Sequence, residues 1–84
     1  MTVPKVSVVD DAGMHDIFDV VALRDGLLRV RVAYRFELGE EIRVRIDDQG
    51  ELADAVAIVR AYTTDGLMEL EIEGRTEARG LVSG

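Results

Sequence analysis

Several stretches of the chain alternate apolar and charged residues with a period of two. Residues 28–32 read Leu-Arg-Val-Arg-Val, and residues 42–46 read Ile-Arg-Val-Arg-Ile. Residues 68–73 repeat the alternation with glutamates in place of arginines. Because successive side chains of a strand point to opposite faces, this period predicts strands with one face buried and one face in water. The pattern indicates the fold class, whereas no motif defines a reaction or a ligand.

Six segments of the chain are predicted to be strands. They cover residues 3–9, 14–23, 27–34, 41–47, 52–62 and 67–73. The second segment also fits a helix, because Met14, Ile17, Phe18 and Val21 have helical spacing. Its β-branched and aromatic content and the hairpin signal that follows favour a strand.

Tight turns separate most of these segments. Asp25-Gly26 suits a two-residue type I′ turn, in which both central residues need positive φ. Asp48-Gln49-Gly50 and Asp65-Gly66 are predicted to close two more turns. Short hairpins without a long crossover predict an all-β fold, either a small six-stranded antiparallel β-barrel or a strongly twisted sheet.

The predicted domain organisation is a single small barrel followed by a tail. Residues 1–74 form the domain, and residues 75–84 form a flexible C-terminal tail, with a short helix at residues 76–79 as an alternative. Ala53, Ala55, Ala57 and Ala61 share one face of the strand over residues 52–62. This small-residue face suits a tightly curved barrel wall, which we favour, or close packing against another element, as in a homodimer.

Composition narrows the classes of partner. The 84 residues include 17 acidic and 10 basic ones, for a net charge of −7, which repels phosphate backbones and anionic lipids. One lysine and four aromatic residues disfavour a nucleic-acid surface. No apolar run approaches the ~20 residues that a membrane helix needs. The absence of cysteine excludes disulfides and thiolate zinc sites, and with no signal peptide evident the expected location is the cytoplasm.

The sharpest candidate site is a set of arginines on two alternating segments. If the segments over residues 27–34 and 41–47 pair, their guanidinium groups share one exposed face that could bind a phosphate, a carboxylate or an acidic partner. The favoured interpretation is instead a ladder of ion pairs with the glutamates of residues 69–73, each contributing roughly 0.2–1 kcal/mol. The candidate binding residues are Arg29, Arg31, Arg43 and Arg45.

The remaining polar residues do not suggest catalysis. The single histidine, His15, has several aspartates nearby in sequence, but their spacing matches no metal-binding loop. Ser7 and Ser83 lie in no nucleophile elbow, and no glycine-rich loop suits a phosphate. We therefore expect a protein that is not an enzyme and that has no metal and no cofactor.

A family resemblance follows from the order of strands and glycines. Residues 26–30 read Gly-Leu-Leu-Arg-Val, and residues 38–46 read Leu-Gly-Glu-Glu-Ile-Arg-Val-Arg-Ile. Residues 55–61 then read Ala-Val-Ala-Ile-Val-Arg-Ala, and residues 66–70 read Gly-Leu-Met-Glu-Leu. In this order of strands and glycines residues 19–73 resemble a PilZ domain. PilZ domains are six-stranded barrels that typically bind cyclic di-GMP and control motility, polysaccharide output or secretion in bacteria.

The ligand motifs of that family are not at the matching positions. Aligning the family's D/N-x-S-x-x-G turn on Gly26 places Val21 at the acidic position and Leu23 at the serine position. The R-x-x-x-R pattern, Arg31 to Arg35, follows this turn instead of preceding it. The resemblance thus implies a bacterial module that acts by protein–protein contacts and does not bind cyclic di-GMP in the usual manner. A sensor of a nucleotide or other anionic ligand and a structural homo-oligomer are the alternative hypotheses.

Overall fold

One antiparallel sheet of seven strands makes up the fold in the computed structural model, which describes residues 3–77. The strands are β1 (Lys5–Asp10), β2 (Gly13–His15), β3 (Asp19–Arg24), β4 (Leu27–Arg31), β5 (Glu41–Asp48), β6 (Glu51–Tyr62) and β7 (Met68–Glu77). Their order across the sheet is β2-β1-β5-β6-β7-β4-β3. The all-β prediction is confirmed, and the twisted sheet fits, since the described residues contain no helix.

The predicted six-stranded barrel is wrong, because the sheet has a seventh strand and does not close. The extra strand arises in residues 14–23, which divide into the end of β2, a short link at residues 16–18, and β3. β2 pairs with β1 and β3 pairs with β4, at opposite edges of the sheet. The link crosses between those edges outside the strand pairing. The preference for strand over helix in this segment is confirmed.

The sheet curls so that its apolar face is covered by the rest of the same sheet. β1 and β3 are separated by four strands in the sheet order, yet they contact each other. On β4, β5 and β7 buried or partly buried apolar residues alternate with charged ones that keep at least part of their surface exposed, as the period of two predicts. The core cluster consists of Val6, Phe18, Leu28, Val30, Ile42, Val44, Ile46, Ala55, Ala57, Val59, Met68 and Leu70.

Two non-strand segments complete this core. One is the link at residues 16–18, and the other is the segment over residues 32–40, hereafter the connector, which runs from β4 to β5 past β7 and β6. Phe18 and Phe36 meet edge to face, with ring centroids 6.1 Å apart and planes at 73°. The strand predicted to reach residue 34 ends at Arg31 instead, because the pairing of β4 with β7 stops near the point where β7 begins.

β6 bends through two irregularities in its pairing with β7, one between Asp54 and Val56 and one between Val59 and Ala61. Its alternation is therefore interrupted, and two consecutive residues, Ile58 and Val59, are both buried. The alanines at positions 53, 55 and 57 lie within the protein's own core, where small side chains suit a curved wall. They are not available for packing against a second copy.

The predicted hairpin turns form where expected. Asp25 and Gly26 both take positive φ, at 55° and 79°, which confirms the type I′ turn between β3 and β4. Residues 49–50 do the same between β5 and β6, with φ of 56° and 90°. The third turn, over residues 63–66, is longer, and positive φ is confined there to Gly66.

β7 continues to Glu77, which pairs with Ala53 on β6. The strand thus extends three residues into the segment predicted as a flexible tail and includes the start of the alternative helix at residues 76–79. The rest of that tail, residues 78–84, lies outside the described residues. Within residues 3–77, no helix is long and apolar enough to cross a membrane.

A matched pair of leucine substitutions tests the core. Leu70→Ala is expected to lower the free energy of unfolding by about 2–5 kcal/mol, because Leu70 is fully buried. Leu38→Ala, at a side chain 65% exposed, should change it by less than about 0.5 kcal/mol. Urea denaturation followed by circular dichroism measures both, and equal losses would contradict the assignment of core and surface.

Candidate functional site

The four candidate arginines lie on the outer, charged face of the sheet but on strands that are not neighbours. β4 pairs with β3 and β7, whereas β5 pairs with β1 and β6. β6 and β7 therefore separate Arg29 and Arg31 from Arg43 and Arg45. The single patch expected from direct pairing of these two segments is wrong, because β4 pairs with the glutamate-bearing strand instead.

Of the predicted ladder of opposite charges, one pair is present between β4 and β7. Arg29 Nε donates to Glu69 Oε2 at 2.7 Å, and the two residues are directly opposite in register. On the other side of β4, Arg31 lies 3.6 Å from an Asp19 carboxylate oxygen. Both arginines of β4 thus have carboxylate partners, one on each neighbouring strand.

The arginines of β5 have a different environment, because their neighbour is β6. Arg45 makes a two-point contact with Asp54, with Nε–Oδ1 at 2.8 Å and Nη2–Oδ2 at 3.2 Å. These hydrogen bonds lower the pKa of Asp54 and raise the pKa of Arg45, and the nearby charge of Arg43 lowers the pKa of Asp54 further. Arg43 itself forms no hydrogen bond or ion pair with another described residue.

A further arginine, which the sequence analysis did not single out, contributes to the same outer face. Arg60 on β6 lies 2.8 Å from Glu71 and 4.0 Å from Glu73 on β7. The glutamates of β7 are thus shared between β4 and β6, the two strands that flank it. Arg60 is a charged residue within an otherwise apolar stretch, and this feature of the sequence could have identified it as a member of the outer face.

Beside Arg43 the outer face has a shallow depression of about 310 Å³, hereafter the outer groove. Arg43, Arg45, Asp54 and Val56 line it, together with the backbone of Gly74. Since Arg45 is engaged by Asp54, Arg43 is the cation here whose guanidinium can meet an incoming anion.

His15 lies on β2, at one edge of the sheet. Its Nε2 is 2.9 Å from Asp10 Oδ1, and this oxygen also accepts the backbone N–H of Ala12 at 2.8 Å. Hydrogen bonding by His15, and then by Ala12, lowers the pKa of Asp10. Within the described part of the chain, no three histidine, aspartate or glutamate side chains are grouped so that they could hold a metal ion.

The second half of the connector, residues 36–40, is fastened to β6 by hydrogen bonds. The Tyr62 hydroxyl donates to the Phe36 carbonyl at 2.6 Å and accepts the Phe36 N–H at 2.8 Å. Gly39 N–H donates to the Val59 carbonyl at 2.7 Å, and Val59 N–H donates to the Glu40 carbonyl at 3.0 Å. These bonds hold the backbone of residues 36–40 in one conformation although it belongs to no strand.

The connector also carries two large, exposed apolar side chains. Tyr34 is 63% exposed and Leu38 is 65% exposed. Arg35 stacks over the Tyr62 ring, with Cζ 4.8 Å from the ring centroid. A groove of about 580 Å³, hereafter the connector groove, runs along this segment and is lined by Arg35, Phe36, Glu37, Leu38 and Tyr62.

Residues 35–40 lie between two predicted strands, and the alternation of apolar and charged residues gave no indication of this surface. A signal was available in the aromatic residues. Phe18, Tyr34 and Phe36 lie outside the strands, and Tyr62 is the last residue of β6. Tyrosine and arginine are also the residue types that most often carry binding energy at protein interfaces.

Comparison with family models, curated proteins and solved structures finds no significant match to this chain. The resemblance to PilZ domains therefore stays a prediction. The case for a function depends on the arrangement of the side chains described above.

Charge reversal tests the ladder on the outer face. Arg29→Glu is expected to lower the free energy of unfolding by about 1 kcal/mol, because it places two carboxylates opposite each other at Glu69. The double variant Arg29→Glu/Glu69→Arg should recover most of that loss. Arg24→Glu, an equal charge change at an exposed position, is the control, and urea denaturation at low salt is the measurement. An equal loss in the control would contradict a specific pair.

Proposed function

We propose that this chain is a non-enzymatic, cytoplasmic bacterial interaction module, PilZ-like in its strand rhythm, that works by docking on a protein partner. The observation that carries the proposal is the fastened connector with exposed Tyr34 and Leu38. Exposed apolar side chains on a mobile loop would be ordinary. Here the backbone on both sides of Leu38 is held by hydrogen bonds to β6 through Phe36, Gly39 and Glu40. Tyr34 lies two residues before the first of these contacts.

Rigidity makes this surface suited to binding. Association costs free energy when loops and side chains become ordered, and a preformed surface reduces that cost. Tyr34 and Leu38 offer apolar area that a partner can cover, while Arg35 is held against Tyr62 by its stacking. The arrangement combines apolar anchors with a polar surround, which is the usual anatomy of a protein interface.

The outer charged face supports a secondary role in docking. Arg29, Arg31 and Arg45 already have carboxylate partners within the molecule. A face whose charges are largely paired has little left to hold a small anion tightly. Its charges would instead contribute partner selectivity and association rate.

Site-specific photocrosslinking tests the docking proposal. A benzophenone amino acid at position 34 is expected to form a defined protein adduct in cells that express the chain, and Leu38→Ala should abolish the adduct without unfolding the domain. The same probe at position 21, where Val21 is exposed on β3, is the control. Equal yields from the two positions, or an adduct that is insensitive to Leu38→Ala, would refute docking through the connector.

A second candidate function is sensing of an anionic ligand, such as cyclic di-GMP, in the outer groove. It is favoured by Arg43, which has no ion pair with another described residue and lines a depression of about 310 Å³. Arg45 beside it would add positive charge, although Asp54 holds its guanidinium. The net charge of −7 opposes binding of a dianion from a distance.

Thermal denaturation with cyclic di-GMP distinguishes the two candidates. A sensor would show a melting temperature that rises with ligand concentration, because a ligand that binds only the folded state stabilises it. Arg43→Ala would remove the rise, and Arg24→Ala would keep it. The docking module predicts no change up to millimolar ligand, and a saturable, Arg43-dependent rise would overturn that expectation.

A further inference from the structure

A second depression adjoins the connector groove at Phe36. This second groove has a volume of about 320 Å³ and lies between the end of β1, the start of β5 and Phe36. Phe36 lines both grooves. The two grooves, which meet at Phe36, are hereafter the docking surface. Exposed Leu38 lines one of them, and the partly buried Val8 and Val9 line the other.

Acidic side chains dominate the border of this surface. Five carboxylates line the two grooves, against the guanidinium groups of Arg35 and Arg43. The acidic residues are Asp10, Asp11, Glu37, Glu40 and Glu41, and all are exposed. Asp10 is engaged by His15, and Glu40 accepts the Glu37 N–H. No lysine or arginine among the described residues forms an ion pair with Asp11, Glu37 or Glu41.

We propose that the docking surface binds a basic protein segment in which one large apolar side chain is flanked by lysines or arginines. This inference rests on the proposed docking function and specifies its partner. The apolar side chain packs against Leu38 and the stacked Arg35 and Tyr62 side chains, which line the groove of about 580 Å³. The flanking cations lie against the carboxylates of the border.

Charge complementarity selects this occupant over a second copy of the chain. Two copies would bring two acidic borders together, and each chain carries a net charge of −7. Like charges placed opposite each other disfavour association and slow the encounter. A basic segment is attracted by the same field, so its association rate should fall as salt is added.

In this arrangement the apolar side chain of the partner supplies most of the affinity, whereas the charges mainly increase the rate of association. Exposed charge pairs at the border of an interface contribute little each, because water screens them. A large side chain that is buried against Leu38 and the stacked Arg35 and Tyr62 side chains is removed from water, and such anchors dominate interface energies. Truncation of the anchor should therefore weaken binding more than neutralisation of a single carboxylate.

The probe is a fluorescent ten-residue peptide with a central phenylalanine flanked by lysines and arginines. Binding is followed by fluorescence anisotropy and by amide chemical shifts of the labelled protein. We expect saturable binding with shifts confined to the connector, Tyr62 and the adjoining ends of β1 and β5. Leu38→Ala should weaken it by about tenfold. Replacing the central phenylalanine by alanine should have a similar effect.

Matched charge variants test the acidic border. Glu37→Gln/Glu41→Gln should weaken binding several-fold and flatten its salt dependence. Asp25→Asn/Asp48→Asn is the control, since it makes an equal charge change in the turn before β4 and at the last residue of β5, which are the ends of these strands away from the connector. It should leave the shifted amides unchanged. Equal effects of both double variants, or shifts spread over the whole surface, would reduce the binding to non-specific charge attraction and overturn the inference.

Two outcomes separate this inference from the proposed function. If the basic peptide does not bind at millimolar concentration but the Leu38-dependent adduct from position 34 forms, docking stands and the basic partner is wrong. If sedimentation shows a dimer that Leu38→Ala dissociates, a second copy occupies the surface and the inference is likewise overturned. Absence of both the peptide complex and the adduct refutes the two proposals together.

Discussion

The fold depends on a single requirement, which is that one sheet must bury its own apolar face. No second sheet or helix covers that face within the described residues, so the sheet curls until β1 approaches β3. Two pairing irregularities and a row of alanines on β6 accompany the curvature. Where curling leaves openings, Phe18 and Phe36 from the two non-strand segments meet and complete the core.

The charged outer face is a consequence of the same curvature. Curling turns one side of every strand towards water, and there arginines and carboxylates pair across neighbouring strands, as at Arg29–Glu69 and Arg60–Glu71. Exposed pairs of this kind stabilise a protein by at most about 1 kcal/mol each. Their larger effect is to neutralise the outer face locally. Most of its arginines are paired with carboxylates of the same molecule, so among the described residues the connector is the surface that offers unpaired binding groups.

The connector follows from strand order. Because β4 pairs with β7, the chain must pass both β7 and β6 to reach the position of β5. This passage takes residues 32–40 across the end of β6, where the Tyr62 hydroxyl and the Val59 backbone hold them. A crossing segment that is fastened on its inner side has its remaining side chains turned outward. The exposure of Tyr34 and Leu38 is therefore a result of topology.

The sequence by itself determined the properties that are local. The period of two assigned buried and exposed faces on β4, β5 and β7, and residues such as Asp25-Gly26 specified turns through their tolerance of positive φ. Only the tertiary structure decided which strands are neighbours, and hence that Arg29 meets Glu69 while Arg45 meets Asp54. It also decided that the sheet stays open and that the connector crosses β6. The alternation of buried and exposed side chains is a property of the backbone of a single strand. The pairing of strands depends instead on how the whole apolar face of the sheet is removed from water, and that face is built from residues far apart in the chain.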